Sequence, residues 1–416
     1  MSSRVLLVGV VRVSRHRWAK ADALTELAAL VKTAGGTVVE KLIQVRSRLE
    51  PATLIGKGKA EEIKELCRKY AIDLVVFEDE LTPTQLRNLE DIIGVRVIDR
   101  AAVILDIFAI HARTAEAKAQ VELAQLEYIK TRLTGLGVEM SRLGGGIGTR
   151  GPGETKLEVD RRRIEQRITV LRRELARIER ERQLQRRRRS SIWQIALVGY
   201  TNAGKTTLFN RLTGADAKVS DQLFATLDAT TRLFPLHPEF EAVLTDTVGF
   251  IRNLPLQLVA SFRSTLAEIN EADLILHVAD VTEPQVESQI DTVKETLTAI
   301  GAGEKPTILV FNKIDRAVDE TTIFRLKERY PAGVFVSALT GDGVKELKDV
   351  IWDYVERRMV VRTFTIPENR WDLVVKIKRS GLLVSERVFD GRRQVKLKGF
   401  PAHLGRLRKE LKRVLI

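Results

Sequence analysis

The chain has 416 residues, 44% of them apolar and 30% charged, enough to bury more than one core and too apolar for a disordered polyelectrolyte. At roughly 100–200 residues per domain it holds two to four domains. Its single cysteine, Cys67, excludes an intramolecular disulfide framework and a multi-cysteine zinc site, and fits a reducing, cytoplasmic setting. No apolar run approaches the roughly 18–20 residues that span a bilayer. The opening MSSRVLLVGVV lacks a small-residue cleavage pattern and reads as a strand.

The net charge of +14 is unevenly placed. Lys156–Arg189 carries 14 basic and 6 acidic residues, and Arg362–Ile416 carries 15 and 5. Ser190–Val361 carries 17 basic against 24 acidic. An acidic middle module thus lies between two basic ones, a pattern that points to a polyanionic partner.

In chain order, the apolar runs 4–11 and 73–79 and the shorter VRVID at 95–99 read as strands. Helical patterns at 20–34, at 58–70 and after Thr82 alternate with them, as in βαβ units. This predicts a small α/β domain over 1–112. Gly56-Lys57-Gly58-Lys59 lacks phosphate-loop spacing and reads as an exposed turn; no phosphate-loop pattern supports a nucleotide site in this domain. Two long helices are predicted next, within 113–190. Ala119, Leu123, Leu126, Ile129 (one place off ideal) and Leu133 recur at helical steps in the first. Ile164, Ile168, Leu171, Leu175 and Ile178 form a heptad seam in the second. Thr134–Thr155 between them holds eight glycines, too many for a helix, so the pair is an antiparallel hairpin around a glycine-rich loop. A fresh alternation of strands and helices fills 191–362. The tail, 363–416, reads as strands (DLVVKIKR, RQVKLKG) and a final basic helix, with Trp371 and Phe400 as core aromatics.

The strand Gln194–Val198 feeds Gly199-Tyr200-Thr201-Asn202-Ala203-Gly204-Lys205-Thr206, with Thr207 opening an amphipathic stretch. This is G-x-x-x-x-G-K-[ST] in its strand–loop–helix context. Backbone amides of such a loop close around a β-phosphate at a helix N-terminus. Lys205 is expected to bridge the β- and γ-phosphates, and Thr206 to bind Mg²⁺. Asn312-Lys313-Ile314-Asp315 ends the strand 307–311; the Asp315 carboxylate can accept from both N1 and N2 of guanine. Ser337, Ala338 and Leu339 follow downstream. Asp246-Thr247-Val248-Gly249 ends another strand: Asp246 is expected to order the magnesium shell, and the Gly249 amide to sense the γ-phosphate. The combination resembles a translation-factor-class GTPase domain. The first switch is expected within Phe224-Ala225-Thr226-Leu227-Asp228-Ala229-Thr230-Thr231-Arg232, where three threonines compete to be the second magnesium ligand. Phe250 stands where many small GTPases hold a water-orienting glutamine. A phenyl ring cannot bond water, so slow intrinsic hydrolysis is expected, with the orientation supplied by a partner or another residue; Phe250 is equally readable as a core aromatic, and both can hold.

GGGIGTRGPGETKLEVDRRRI at 144–164, with GYTNAGKT, FATLD and DTVG, resembles the HflX family of ribosome-acting GTPases over essentially the whole chain. The resemblance implies an α/β fold: a P-loop GTPase domain with a Ras-like mixed sheet, preceded by a small α/β domain and a helical hairpin, and followed by a small α+β domain. It favours Thr226 over Thr230 and Thr231 as magnesium ligand, which makes Lys205, Thr226 and Gly249 the catalytic set and Thr206 with Thr226 the metal set. Asn202 resembles the asparagine by which some related GTPases hold a monovalent cation, leaving potassium activation open. The implied activity is GTP binding and hydrolysis coupled to binding the large ribosomal subunit and its RNA and to splitting stalled or idle ribosomes, by a monomer whose glycine loop reaches toward the peptidyl transferase centre. The charges agree. A glycine-rich loop bearing Arg142 and Arg150 is able to approach RNA closely, and Arg161–Arg163, Arg172, Arg173 and Arg186–Arg189 present cations over several helical turns. Intrahelical pairs such as Glu174–Arg177 are the competing use of those arginines. The alternative function is a GTP-regulated RNA-binding assembly or hibernation factor in which hydrolysis is incidental.

Overall fold

The computed structural model describes residues 3–12, 17–142, 156–189, 192–217, 222–252, 268–316, 319–378 and 381–414. The expectations placed on 143–155, Arg150 included, lie outside them, as do those on the side chains of Arg142 and Arg186–Arg189.

The first unit runs β1 (Arg4–Arg12), α1 (Arg17–Thr33), β2 (Thr37–Arg46), α2 (Lys57–Lys69), β3 (Leu74–Phe77), α3 (Pro83–Ile93), β4 (Arg96–Asp99) and α4 (Arg100–His111). Its sheet has the order β2-β1-β3-β4 with every neighbour parallel, so helices must cover both faces. Alternation along β1 divides the cover: Val5 and Leu7 pack with α1 and α4, Leu6 and Val8 with α2 and α3. Two elements were not predicted. β2 is an edge strand with only Leu42 buried, so it lacks an apolar run. α4 is apolar nearly all round, so it shows no helical period. Gly56-Lys57-Gly58-Lys59 is not a turn: Gly56 precedes the first residue of α2 and the rest is helical.

The long helices are α5 (Ala115–Arg142) and α6 (Lys156–Arg189). Ala119 and Leu123 pack on Ile168 and Leu171, flanked by Leu126, Ile164 and Leu175. Ile129, the off-period residue, is 43% exposed. Arg167 clamps Glu122 at 2.6 and 2.7 Å, Arg172 reaches Glu127 at 2.8 Å, and Lys130 reaches Glu165 at 3.1 Å. Exposed pairs of this kind are screened by solvent and contribute little, so they align the helices more than they stabilise them. Arg177 approaches Glu181 at 3.9 Å rather than Glu174. Buried Asp99 accepts from Tyr128 Oη at 2.7 Å and Arg132 Nη2 at 2.6 Å, bolting α5 to the end of the first sheet.

The middle unit comprises β5 (Trp193–Gly199), α7 (Lys205–Thr213), β6 (Thr230–His237), β7 (Phe240–Asp246), β8 (Leu274–Asp280), α8 (Val286–Ala299), β9 (Thr307–Asn312), α9 (Glu320–Arg329), β10 (Val334–Phe335) and α10 (Val344–Glu356). Its sheet order is β10-β9-β8-β5-β7-β6; β6 runs antiparallel to β7 and the other neighbours are parallel, which is the mixed sheet expected. All three nucleotide motifs leave the carboxyl ends of parallel strands, β5, β7 and β9, where open α/β sheets place their ligands.

The tail holds β11 (Val360–Pro367), α11 (Trp371–Lys378), β12 (Leu382–Phe389), β13 (Arg392–Gly399) and α12 (Pro401–Val414), with an antiparallel sheet β11-β13-β12. Two expectations fail here. Of DLVVKIKR, the described residues 372–378 lie in the helix α11, because Leu373, Val374 and Ile377 bury at helical rather than alternating spacing. Trp371 is not core: it is 60% exposed, with the Arg393 guanidinium 4.1 Å above its ring. Phe400 stacks on Trp193 at 5.9 Å and joins the tail to β5.

No helix among the described residues is long and apolar enough to cross a membrane.

Candidate nucleotide site

The loop from Gly199 to Lys205 wraps around its own lysine. Lys205 is 6% exposed, and its Nζ donates to the carbonyls of Gly199 at 3.2 Å and Tyr200 at 2.9 Å. Burial pushes the ammonium down to about 8, opposed by the Asp246 charge and aided by that of Lys313. Gly204 must be glycine. Its φ is +86°, and a Cβ there would lie 2.3 Å from Asn312 Nδ2. That amide is a fixed strut: Nδ2 donates to the Ala203 carbonyl at 2.9 Å, while Oδ1 accepts from the Ala338 N–H at 2.9 Å. One side chain therefore joins the phosphate loop, β9 and the segment after β10. Gly249 also allows a close approach, since a Cβ on it would sit 2.9 Å from Thr201 Cα and 3.1 Å from Lys205 Nζ.

A cavity of about 310 Å³ follows this loop. Thr201, Asn202, Gly204, Lys205, Thr206 and Thr207 line it from the loop and α7. Phe224, Ala225 and Thr226, then Thr247 and Gly249, close one side; Asn312, Lys313, Asp315, Ala338 and Leu339 close the other. Gln222 and Arg316 also line it, two residues outside every motif and without a signal by which sequence reasoning finds them. At the far end Asp315 Oδ1 accepts from Ser337 Oγ at 2.6 Å, and Lys313 Nζ pairs with Asp280 at 2.6 Å.

The remaining motif residues stand behind this wall. Gly199 and Ala203 offer carbonyls to Lys205 and Asn312, Ile314 packs under β9, and Val248 is buried. Tyr200 turns away to Glu26 on α1. Leu227 is 2% exposed within the core, and the Asp228 carboxylate points at Thr114 and Arg113 rather than into the cavity. Phe250, 1% exposed, is a core aromatic whose backbone pairs with the phosphate loop: its N–H donates to Gly199 O at 3.0 Å and its carbonyl accepts from Thr201 N at 2.8 Å.

Of the three competing threonines, Thr226 is the one brought to Thr206 and Asp246. Thr206 Oγ1 lies 2.7 Å from Asp246 Oδ2 and 2.9 Å from Thr226 Oγ1, and Thr226 Oγ1 lies 3.3 Å from that same Asp246 oxygen. Thr231 instead bonds Thr245 at 3.1 Å, and Thr230 begins β6. Asp246 Oδ1 is buried without a hydrogen-bond partner, and burial raises its carboxyl above the usual range. Two hydroxyls beside a carboxylate with an unsatisfied oxygen form a hard-oxygen set that suits Mg²⁺. The buried Thr201 hydroxyl also lacks a partner.

Phe224, Leu227, Val248 and Phe250 share one continuous core with Phe108 of α4 and Ala117 and Val121 of α5. Both nucleotide-facing loops are thus packed on the first unit and the base of the hairpin.

Family models match three stretches of the chain: GTP-binding GTPase N-terminal over residues 21–109, GTP-binding GTPase middle region over 111–189, and 50S ribosome-binding GTPase over 194–313. A GTPase HflX of Caldanaerobacter subterraneus subsp. tengcongensis is 46% identical over 389 residues, covering 92% of this chain and 88% of that protein. The GTPase HflX of Escherichia coli K12 is 45% identical over 349 residues, covering 83% and 82%. A crystal structure of a GTP-binding protein from the hyperthermophilic archaeon Sulfolobus solfataricus in complex with GDP aligns over 85% of this chain and 98% of that one, at 26% identity and a TM-score of 0.43.

Proposed function

The chain belongs to the HflX family of GTPases, and from that premise we propose that it uses GTP to bind the large ribosomal subunit and separate stalled or idle ribosomes. Lys205 and the loop amides hold the phosphates. Asn312 keeps that loop in register with the base-binding segment, and Asp315 accepts the guanine N–H groups. Thr206 and Thr226 are the protein's magnesium ligands, with Asp246 beside them. A magnesium ion held there would supply charge neutralisation as negative charge develops on the phosphates. Gly249 senses the γ-phosphate through its amide. Phe250 leaves no side chain at its position to orient water, so hydrolysis is slow until the ribosome or another residue supplies that contact.

The observation that carries the reading is the shared core. Phe224, Leu227 and Phe250 of the nucleotide loops pack with Phe108, Ala117 and Val121 at the base of the hairpin. A shift at the γ-phosphate therefore meets the module that bears the basic helix, and packed cores move between discrete arrangements rather than deforming continuously. The cations on α6 and the tail are the phosphate-binding surfaces. Comparing GTP hydrolysis with and without purified large subunits tests this: marked stimulation is expected, and an unchanged rate overturns it in favour of a factor for which hydrolysis is incidental.

A further inference from the structure

Asp228 lies two residues beyond Thr226 and faces away from the nucleotide cavity. Its Oδ1 accepts from Thr114 Oγ1 at 2.6 Å, and its Oδ2 accepts from the backbone N–H groups of Thr114 at 3.3 Å and Arg113 at 3.4 Å. Thr114 in turn immediately precedes α5. Its hydroxyl accepts from Ala117 N at 3.1 Å and its carbonyl from Lys118 N at 3.0 Å. A carboxylate from the first switch thus completes the start of a 28-residue helix, where unpaired N–H groups and the helix dipole favour an anion.

Other contacts hold the same segment. The Phe224 ring meets Phe108 edge-on, with centroids 4.7 Å apart and planes at 80°. Leu227, the single residue between Thr226 and Asp228, is 2% exposed in the joint core. Behind them a second cavity of about 210 Å³ is shared by Thr206, Thr226 and Asp246 on one side and His111 and Arg113 on the other. The α4–α5 joint is therefore the back wall of the metal-side cluster.

We propose that Asp228 is a positioning residue for the GTPase reaction: by gripping the start of α5 it holds Thr226 where magnesium needs it, and the same bond carries the nucleotide state to the first hairpin helix. The inference rests on the reading of Thr206 and Thr226 as magnesium ligands. Linkage makes the coupling reciprocal. If capping α5 favours the ordered switch, Mg²⁺ and GTP favour capped α5 by the same factor.

The test uses the full chain and a non-hydrolysable GTP analogue in two measurements. In the first, nucleotide affinity is titrated with Mg²⁺. Asp228→Asn and Thr114→Ala are each expected to raise the Mg²⁺ needed for half-maximal affinity by about three- to tenfold, the scale of one charge-assisted hydrogen bond at a solvated site. The double variant should cost less than the sum of the two single ones, because both remove the same Thr114–Asp228 bond, and Thr114→Ser, which keeps the hydroxyl, should match the parent. In the second, amide hydrogen exchange across 113–118 should slow when Mg²⁺ and the analogue are added to the parent, and should not respond in Asp228→Asn. Additive single effects, an unchanged Mg²⁺ requirement, or equal protection in parent and variant each overturn the proposal. A parent whose affinity ignores Mg²⁺ sinks the ligand reading itself and this inference with it; a responsive parent with unaffected variants overturns the inference alone.

Discussion

Tyr200 donates its phenolic hydrogen to Glu26 on α1, and the same phenolic oxygen accepts the Arg252 N–H at 2.9 Å. Three segments therefore meet at one atom: the phosphate loop, the first helix of the N-terminal unit, and the segment beyond Gly249. Burial, reinforced by the Glu26 charge, holds the phenol far above its ordinary range, so it remains a donor at any working pH. Arg100 completes the junction. Its Nη2 lies 3.2 Å from Glu26 Oε2 and donates to the Arg252 carbonyl at 3.1 Å.

Glu26 is the carboxylate partner of a guanidinium whose side chain is only 3% exposed and whose Nε and Nη1 have no partner. Glu26→Ala strands that charge, and we expect a loss of about 3–5 kcal/mol. Glu26→Leu combined with Arg100→Leu should recover part of it, since the charge is removed with its partner and only the Tyr200 hydroxyl and the Arg252 carbonyl lose a bond. Urea unfolding of the three proteins checks this; equal losses in single and double variants would show that the pair contributes only through packing.

Lys205 makes nucleotide binding pH-dependent. With its pKa pushed down to about 8 in the free protein, the lysine already carries the charge that phosphates need below that pH. Above it, binding must draw a proton from solvent, and affinity should fall by up to about tenfold per pH unit. GDP affinity measured between about pH 7 and pH 9 should bend near the lysine's pKa, and Lys205→Arg should remove the bend because arginine stays charged throughout.

Asp315 lies in the cavity with one oxygen held by Ser337 at 2.6 Å. Asp315→Asn presents a donor where guanine also presents donors, so GTP affinity should drop about a hundredfold or more while xanthosine nucleotides gain. Competition between the two nucleotides reads this directly. Unchanged GTP binding would remove Asp315 from base recognition.

What the sequence carried and what it did not follow from where the information resides. The phosphate loop, Asp246–Gly249 and Asn312–Asp315 each end an apolar strand, so motif and strand support one another, and the cavity assembles where they converge. Side-chain chemistry does not choose among Thr226, Thr230 and Thr231, which offer the same hydroxyl; the family resemblance favours Thr226, and the approach to Asp246 separates it from the others. Asp228 reads as one residue of the first-switch stretch, yet its partner lies 114 residues away. Glu26 and Arg100 carried no signal, since each reads as an ordinary helix charge until α1 and α4 meet the phosphate loop. In the tail, valines make DLVVKIKR read as extended, whereas burial of Leu373, Val374 and Ile377 on one side makes 371–378 a helix.

Light scattering of purified ribosomes mixed with this protein tests the central claim most directly. With GTP the account predicts a fall in scattering as subunits separate, absent with GDP and absent for Lys205→Ala. Scattering that stays level with GTP, under conditions in which the protein binds both nucleotide and ribosome, would contradict it.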